Sequence, residues 1–156
     1  MTTRGKTGVI GIEVKYTEEG YSVGRKEFAM MQNPDSAYSV TTRDSGCFIN
    51  NDPLQFNTPD FIQLWRNHIL CLAMVQQGKA DSFDSITLYP SGNTHFHSYD
   101  KHIGVIDAYG ELLTDRGKDT FHSITYEAFF DLLRTHYKSE RQRAWLEYLE
   151  ARYIKL

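Results

Sequence analysis

The apolar positions of the chain form a strand pattern near the N-terminus. Residues 8–16 are mainly apolar, with one acid at Glu13 and one amine at Lys15. Alternate side chains of a strand share a face, so Glu13 and Lys15 project together. The opposite face carries the apolar side chains of Ile10, Ile12 and Val14. The pattern predicts a central strand of the sheet, with this apolar face buried.

A helical pattern follows in the middle of the chain. Thr58 and Pro59 predict its start, because a hydroxyl suits the N-cap and proline suits the first helical position. Gly78 predicts its end. Apolar residues recur between these points at spacings of three and four, at Phe61, Leu64, Trp65, Ile69, Leu72 and Val75. The spacing predicts an amphipathic helix over residues 58–77.

A second strand and two more helices are predicted after this helix. Residues 85–89 form a short strand pattern that stops at a proline- and glycine-bearing turn, residues 90–93. Thr125 is placed as the N-cap of one helix, and Ser139 opens a capping-box pattern for the last one. One side of the last helix is expected to hold Trp145, Leu146, Leu149 and Tyr153.

Two stretches lack a clear period. Residues 21–59 contain several turn signals and are expected to form loops and short segments. Residues 94–110 fit either an extended hairpin and short strand or the approach to a helix. Strands first and in mid-chain, with helices between and after them, predict one domain over residues 1–156 of the α/β or α+β class.

Composition indicates a folded protein whose overall charge does not mark it as a nucleic-acid binder. Hydrophobic residues make up 40% of the 156 residues and charged residues 24%, unlike disordered chains. The formal net charge is −3, although a nuclease can confine its basic residues to one groove. The N-terminus is polar and unlike a signal peptide, and no apolar run is long enough to span a membrane. We therefore expect a cytoplasmic protein in which Cys47 and Cys71 are reduced thiols.

The pairing of Glu13 with Lys15 is the strongest candidate for chemistry, because one surface ion pair contributes little to stability. The stretch at residues 12–16 resembles the E-x-K half of the PD-(D/E)XK nuclease motif. Residues 63–68, 88–93 and 145–153 also resemble, in the same order, an uncharacterised restriction-endonuclease-like family of that superfamily. The resemblance implies a restriction-endonuclease-like core, with a mixed central sheet flanked by helices.

The resemblance also implies roles for particular residues in a Mg²⁺-dependent DNA endonuclease. The carboxylate of Glu13 and the main-chain carbonyl of Val14 would bind Mg²⁺, which prefers oxygen ligands. Lys15 would orient the attacking water and stabilise phosphate charge. Gln63 would support them as a third catalytic residue, and Arg66 would contact a DNA phosphate. On residues alone, Glu13 and Lys15 also fit an exposed edge strand, and Gln63 and Arg66 a solvated helix face.

One part of the family pattern is missing. Such nucleases carry an aspartate on an earlier strand, whereas the twelve residues before Glu13 contain no acid. We therefore expect an N-terminally shortened domain that is incomplete, and inactive unless another acid replaces the aspartate. Glu18, Glu19 or a partner subunit, including a second copy in a homodimer, could supply the acid. The alternative is a non-catalytic nucleic-acid-binding or protein-interaction α+β module.

Two other groups of residues suit a ligand by their chemistry. The imidazoles of His95, His97 and His102 suit zinc, but their spacing matches no known zinc motif. Near the C-terminus, aromatic residues interleave with arginines, which could form a nucleic-acid surface. Because Glu140, Glu147 and Glu150 dilute the positive charge, we expect a core-facing aromatic stripe with a mixed-charge outer face instead.

Overall fold

The computed structural model of the protein describes residues 5–16, 20 and 22–154. Three strands alternate with groups of helices in this part of the chain. The strands are β1 (Gly8–Val14), β2 (Ser82–Tyr89) and β3 (Phe121–Thr125). The helices are α1 (Arg25–Gln32), α2 (Ala37–Ser45), α3 (Ile62–Gln76), α4 (Val105–Gly110), α5 (Asp115–Lys118), α6 (Tyr126–His136) and α7 (Glu140–Tyr153), with a 3₁₀ turn at Pro53–Phe56.

The three strands form one parallel sheet in the order β1-β2-β3. Long connections join them, as parallel pairing requires, and α3 packs against both β1 and β2. The expected α/β architecture is confirmed. Two details of the expectation differ. The sheet is parallel rather than mixed in the described residues, and β1 lies at its edge with β2 in the centre.

The two faces of β1 are the reverse of the expectation. The face that carries Glu13 points toward α3, and the apolar face is open. Ile10, Ile12 and Val14 are 62%, 51% and 55% exposed in the described part of the chain. The predicted burial of these three side chains is therefore wrong. Alternation fixes which residues share a face, but the packing of α3 decides which face becomes the interior.

Two hydrophobic clusters hold the helices to the sheet. The larger lies between α3 and the sheet and includes fully buried Trp65, Leu72 and Phe56. The smaller packs α6 and α7 on the other face of the sheet, around Leu88 and Phe130. That second layer covers the C-terminal end of β2, so it leaves the apolar residues of β1 outside it.

Residues 22–59 are more regular than the sequence indicated. The prediction of loops is wrong over α1, α2 and the 3₁₀ turn. Both helices are short, and α2 is rich in serine and threonine, which gives a weak apolar pattern. Its hydroxyl groups are buried by tertiary contacts, for example where the indole N–H of Trp65 donates to Oγ1 of Thr42 at 3.2 Å.

The remaining predictions give the correct type of element, helix or strand, but place some of its ends at other residues. The hydroxyl of Thr58 accepts from the N–H of Phe61 at 3.1 Å, but the regular helix begins only at Ile62. Strand β2 begins three residues earlier than predicted, and β3 was missed. The caps at Thr125 and Ser139 are confirmed by their side-chain hydrogen bonds. None of the helices among the described residues has the length and apolarity needed to cross a membrane.

Candidate functional site

Glu13 and Lys15 form an ion pair at the C-terminal end of β1. Oε1 of Glu13 lies 3.1 Å from Nζ of Lys15, and the two side chains are 27% and 4% exposed. The N–H of Lys15 donates to the carbonyl of Leu88 at 2.8 Å. Its carbonyl accepts from the hydroxyl of Tyr126 at 2.9 Å, where Pro90 has no N–H to continue the ladder. Lys15 is therefore fixed at both main-chain groups, with its ammonium buried beside Glu13.

Val14 lies between these two residues and faces the other way. Peptide groups of alternate residues in a parallel strand turn to opposite neighbours. Because the N–H of Lys15 bonds to β2, the N–H and carbonyl of Val14 point away from β2, toward the open edge of β1. The Val14 carbonyl is thus oriented as an acceptor beside the ion pair.

A cleft of about 440 Å³ opens on the α3 side of β1, between β1, α2 and α3. Glu13 lies in its wall, together with three polar residues from α3. The other walls are mainly apolar. The lining residues are Glu13, Ala37, Tyr38, Thr41, Gln63, Arg66, Asn67, Ile69, Leu70 and Ala73. Among the lining residues that the structure describes, Glu13 supplies the one carboxylate.

Gln63 has an unusual environment in this cleft. Its Oε1 atom is buried and has no hydrogen-bond partner among the described residues. Buried polar atoms are almost always hydrogen-bonded, so an orphan acceptor in a cleft indicates a place for a donor, a water molecule or a cation. In the sequence, only the family resemblance indicated Gln63 as a site residue. The structure places it in the same cleft as Glu13.

Arg66 is held by an acid that the sequence analysis missed. Its Nε lies 3.0 Å from Oε1 of Glu27, on α1. The hydroxyl of Tyr38 donates to the same carboxylate at 3.3 Å. Glu27 lies in the stretch expected to be loops, and no motif marks it in the sequence. The consequence is that Arg66 reaches the cleft wall with much of its charge already balanced.

Asn67 and Gly11 set the distance between α3 and β1. The amide of Asn67 donates to the carbonyl of Gly11 at 3.1 Å and to the hydroxyl of Ser85 at 3.0 Å. A Cβ atom at Gly11 would lie 2.4 Å from Sγ of Cys71 and 2.8 Å from Oδ1 of Asn67. A side chain at this position would force Cys71 and Asn67 to shift from their packed positions. Because Gly11 lies two residues before Glu13, this contact positions the strand that carries the candidate site.

We expect Gly11→Ala to lower the free energy of unfolding by about 1–3 kcal/mol, the usual cost of overpacking a filled interior. Urea unfolding followed by circular dichroism measures the change. Gly92→Ala is the matched control, because a Cβ there meets nothing within 4 Å, and we expect it to change stability by less than about 0.5 kcal/mol. Cys71→Ala combined with Gly11→Ala should recover part of the loss. Equal stability of the Gly11 and Gly92 variants would contradict this account of the packing.

The other candidates from the sequence lie elsewhere. His95 pairs with Asp60 at 3.0 Å, and the rings of His97 and His102 contact Tyr99. Over the described residues, no three His, Cys, Asp or Glu side chains gather as a metal site would need. Glu18 and Glu19 lie outside the described residues.

His68, on α3, belongs to the core rather than to the cleft. Its ring nitrogens lie 3.2 Å from the hydroxyl of Tyr109 and 3.1 Å from Oγ1 of Thr120. Burial, together with the smaller effect of nearby His122, lowers the pKa of His68 to about 4. The imidazole is therefore neutral near pH 7 and acts as a hydrogen-bonding link between α3, α4 and the start of β3.

Comparison with models of known protein families identifies the superfamily of the chain. A family model described as the PD-(D/E)XK nuclease superfamily matches residues 1–155. No curated protein and no solved structure matches the chain. The matched range includes β1, the cleft and every candidate site residue described above.

Proposed function

Because the chain belongs to the PD-(D/E)XK nuclease superfamily, we propose that the cleft beside α3 is a site for Mg²⁺-dependent hydrolysis of phosphodiester bonds in DNA. The observation that carries the proposal is the buried Lys15, paired with Glu13 at the cleft. Burying an ammonium costs several kcal/mol, and a buried ion pair rarely repays that cost in stability. A function at this position explains why the charges are kept.

The donor atoms at the cleft suit Mg²⁺. The Glu13 carboxylate and the Val14 carbonyl are the proposed ligands, and both offer the oxygen atoms that this ion prefers. The orphan Oε1 of Gln63 is a third oxygen acceptor in the same cleft. Mg²⁺ is commonly held by one or two carboxylates together with water and substrate phosphates. When bound, the ion would polarise a phosphoryl oxygen and neutralise developing negative charge.

The residues of the chain would then divide the remaining tasks. The Lys15 ammonium, fixed by its two main-chain hydrogen bonds, would orient the attacking water and stabilise phosphate charge. Gln63 would accept a hydrogen bond from that water through Oε1. Arg66 is proposed to contact a DNA phosphate from the cleft wall. Its pairing with Glu27 holds the guanidinium in place and weakens its attraction for phosphate.

The single carboxylate among the described lining residues has a consequence for metal affinity. We infer that free Mg²⁺ binds this cleft weakly and that DNA phosphate oxygens complete its coordination. A partner subunit, including a second copy of the chain, is a further proposed source of an acid.

A non-catalytic nucleic-acid-binding or protein-interaction module is the second candidate. The observation that favours it is that Glu13 is already engaged by Lys15 and has no second acid beside it in the described cleft. Such a module would keep phosphate contacts without hydrolysis. The two candidates therefore differ in cleavage.

The test is nicking of supercoiled plasmid DNA over a titration of Mg²⁺ and Mn²⁺. For the native chain we expect metal-dependent nicking, lost to background in Glu13→Gln and in Lys15→Met. Glu147→Gln is the control, because Glu147 is an exposed acid on α7 far along the chain from β1. Nicking that survives both site substitutions would contradict the assignment. DNA binding that weakens with salt, without nicking, would support the non-catalytic nucleic-acid-binding candidate. Absence of both would leave the protein-interaction module.

A further inference from the structure

Helix α7 carries an exposed row of aromatic and basic side chains. Trp145 and Tyr148 are 56% and 55% exposed, contrary to the prediction of a core-facing stripe. The sequence separations from Arg141 to Trp145, Tyr148 and Arg152 are four, seven and eleven residues, which place all four on one side of the helix. We name these four residues the α7 stripe. Because tryptophan side chains are highly buried on average, the exposure of Trp145 beside Tyr148 marks this side of α7 as a candidate binding surface.

The charges of α7 are separated between its two sides. Arg143 lies away from the stripe and pairs with Glu140 at 3.1 Å and with Glu147 at 3.5 Å. Arg141, by contrast, makes no ion pair with the described residues. Of the three acids that seemed to dilute the positive charge, Glu140 and Glu147 pair with Arg143, and Glu150 pairs with Arg134 of α6. The α7 stripe itself therefore keeps positive charge.

The stripe is held in a fixed geometry. Nη1 of Arg152 donates to the hydroxyl of Tyr148 at 2.9 Å, and its guanidinium lies 5.6 Å from the ring centre of Tyr153. On the buried side, Leu146 anchors α7 against α6. A hollow of about 120 Å³ adjoins Trp145, with apolar walls and two polar side chains. It is lined by Leu133, His136, Tyr137, Gln142, Trp145 and Leu146.

The C-terminal end of the stripe lies close to the strand that carries the candidate site. The ring of Tyr153 meets that of Tyr16 edge-on, with centroids 5.7 Å apart. Tyr16 directly follows Lys15. The hydroxyl of Tyr126, on α6, donates a hydrogen bond to the Lys15 carbonyl. A nucleic-acid strand that is bound along α7 would therefore run toward the C-terminal end of β1.

We propose that the α7 stripe binds single-stranded nucleic acid. Unpaired bases would stack on Trp145 and Tyr148, and phosphates would contact Arg141 and Arg152. Aromatic platforms with interspersed basic groups bind single strands in this way, whereas the faces of duplex bases are already stacked on one another. This inference rests on the proposed function, because it names the form of nucleic acid that the domain holds on the face of the sheet opposite the cleft.

The experiment measures anisotropy of a fluorescein-labelled oligothymidylate of about 12 nucleotides, a length within the range of single-strand sites. EDTA is present, so binding is read without cleavage. We expect Trp145→Ala to weaken binding about tenfold or more, and Trp145→Phe to weaken it less, because a ring is retained. Arg141→Ala should weaken binding. It should also reduce the slope of log K against log salt concentration by the amount expected for about one phosphate contact. Arg143→Ala is the matched control and should change neither.

Intrinsic fluorescence gives a second readout. Trp65 is fully buried and Trp145 exposed, so quenching on oligonucleotide addition should come from Trp145 and vanish in Trp145→Phe. Circular dichroism checks that each variant is folded. Oligouridylate in the same assay shows whether the stripe distinguishes RNA from DNA.

Three results would overturn the proposal. They are unchanged binding in Trp145→Ala and Tyr148→Ala, binding of a duplex of the same length that is equally strong and equally weakened by Trp145→Ala, or loss of self-association in Trp145→Ala without any oligonucleotide binding. Sedimentation velocity measures the last of these and would show the stripe to be a protein interface. Glu13→Gln and Lys15→Met should keep binding to the stripe. Failure of the nicking assay therefore leaves this test intact, and failure here leaves the nicking assay intact.

Discussion

Glu13→Ala is expected to lower the free energy of unfolding by about 3 kcal/mol. The substitution leaves the Lys15 ammonium buried without its ion-pair partner, and breaking a buried pair in this way costs about 3–5 kcal/mol. We place the value at the low end because Glu13 itself is 27% exposed and some water can enter its place. Urea unfolding at pH 7 measures the loss.

The opposite substitution should cost much less. In Lys15→Met the carboxylate left behind can still reach solvent, and the methionine fills the apolar space that the lysine stem occupied. We expect a change of less than about 1 kcal/mol, and the combination with Glu13→Ala should recover most of the loss seen for Glu13→Ala alone. This asymmetry follows from the different exposure of the two side chains.

Glu147→Ala is the control for the stability series. It removes an acid from an exposed ion pair with Arg143 and should cost less than about 0.5 kcal/mol. If Glu13→Ala were equally harmless, the Lys15 ammonium would be hydrated, and the burial that carries the proposed function would be refuted.

Acidification should destabilise the protein through His68. The folded-state pKa of about 4 lies below the ordinary value of 6.5, so the unfolded chain takes up the proton first as the pH falls. The stabilising contribution is complete above about pH 6.5 and is lost as the pH falls toward 4. Because each pKa unit is worth about 1.4 kcal/mol, the loss at pH 4 should be about 3 kcal/mol.

The measurement is the free energy of unfolding from urea titrations at several pH values between 7.5 and 4. His68→Gln keeps a polar side chain near Tyr109 and Thr120 but cannot titrate in this range. We expect its stability to be lower at pH 7.5 and to fall less steeply with acid than that of the native chain. His136→Ala removes an exposed histidine and should keep the native slope. Identical slopes for the native and His68→Gln proteins would refute the assignment.

These two predictions separate the structural from the functional use of polar groups in the interior. His68 is neutral, fully buried and hydrogen-bonded on both ring nitrogens, so its polar atoms serve the fold. Lys15 is buried as one member of an ion pair, beside a cleft that also holds the orphan oxygen of Gln63. A buried polar group whose hydrogen bonds are all satisfied stabilises the fold. A buried acceptor without a hydrogen-bond partner, beside a cleft, indicates instead that a ligand binds there.

Local chemistry accounts for the features that were predicted correctly. The caps at Thr125 and Ser139 depend on hydroxyls and nearby N–H groups, so the sequence was sufficient to place the start of both helices. The same holds for the shared face of Glu13 and Lys15, because alternation in a strand needs no tertiary information. Strand β3 was missed because its five residues offer too short a pattern to distinguish from a loop.

By itself, the sequence determined that β1 is a strand, that its acid and amine stand side by side, and that the motif resembles a nuclease. Only the tertiary structure decided which face of β1 is covered. It closed α3 over Glu13 and left Ile10, Ile12 and Val14 exposed. It also brought Glu27 to Arg66 across 39 positions of chain and turned Trp145 outward. The physical reason is that periodicity fixes which side chains lie together, whereas burial depends on which elements pack there, and that is set by contacts between distant residues.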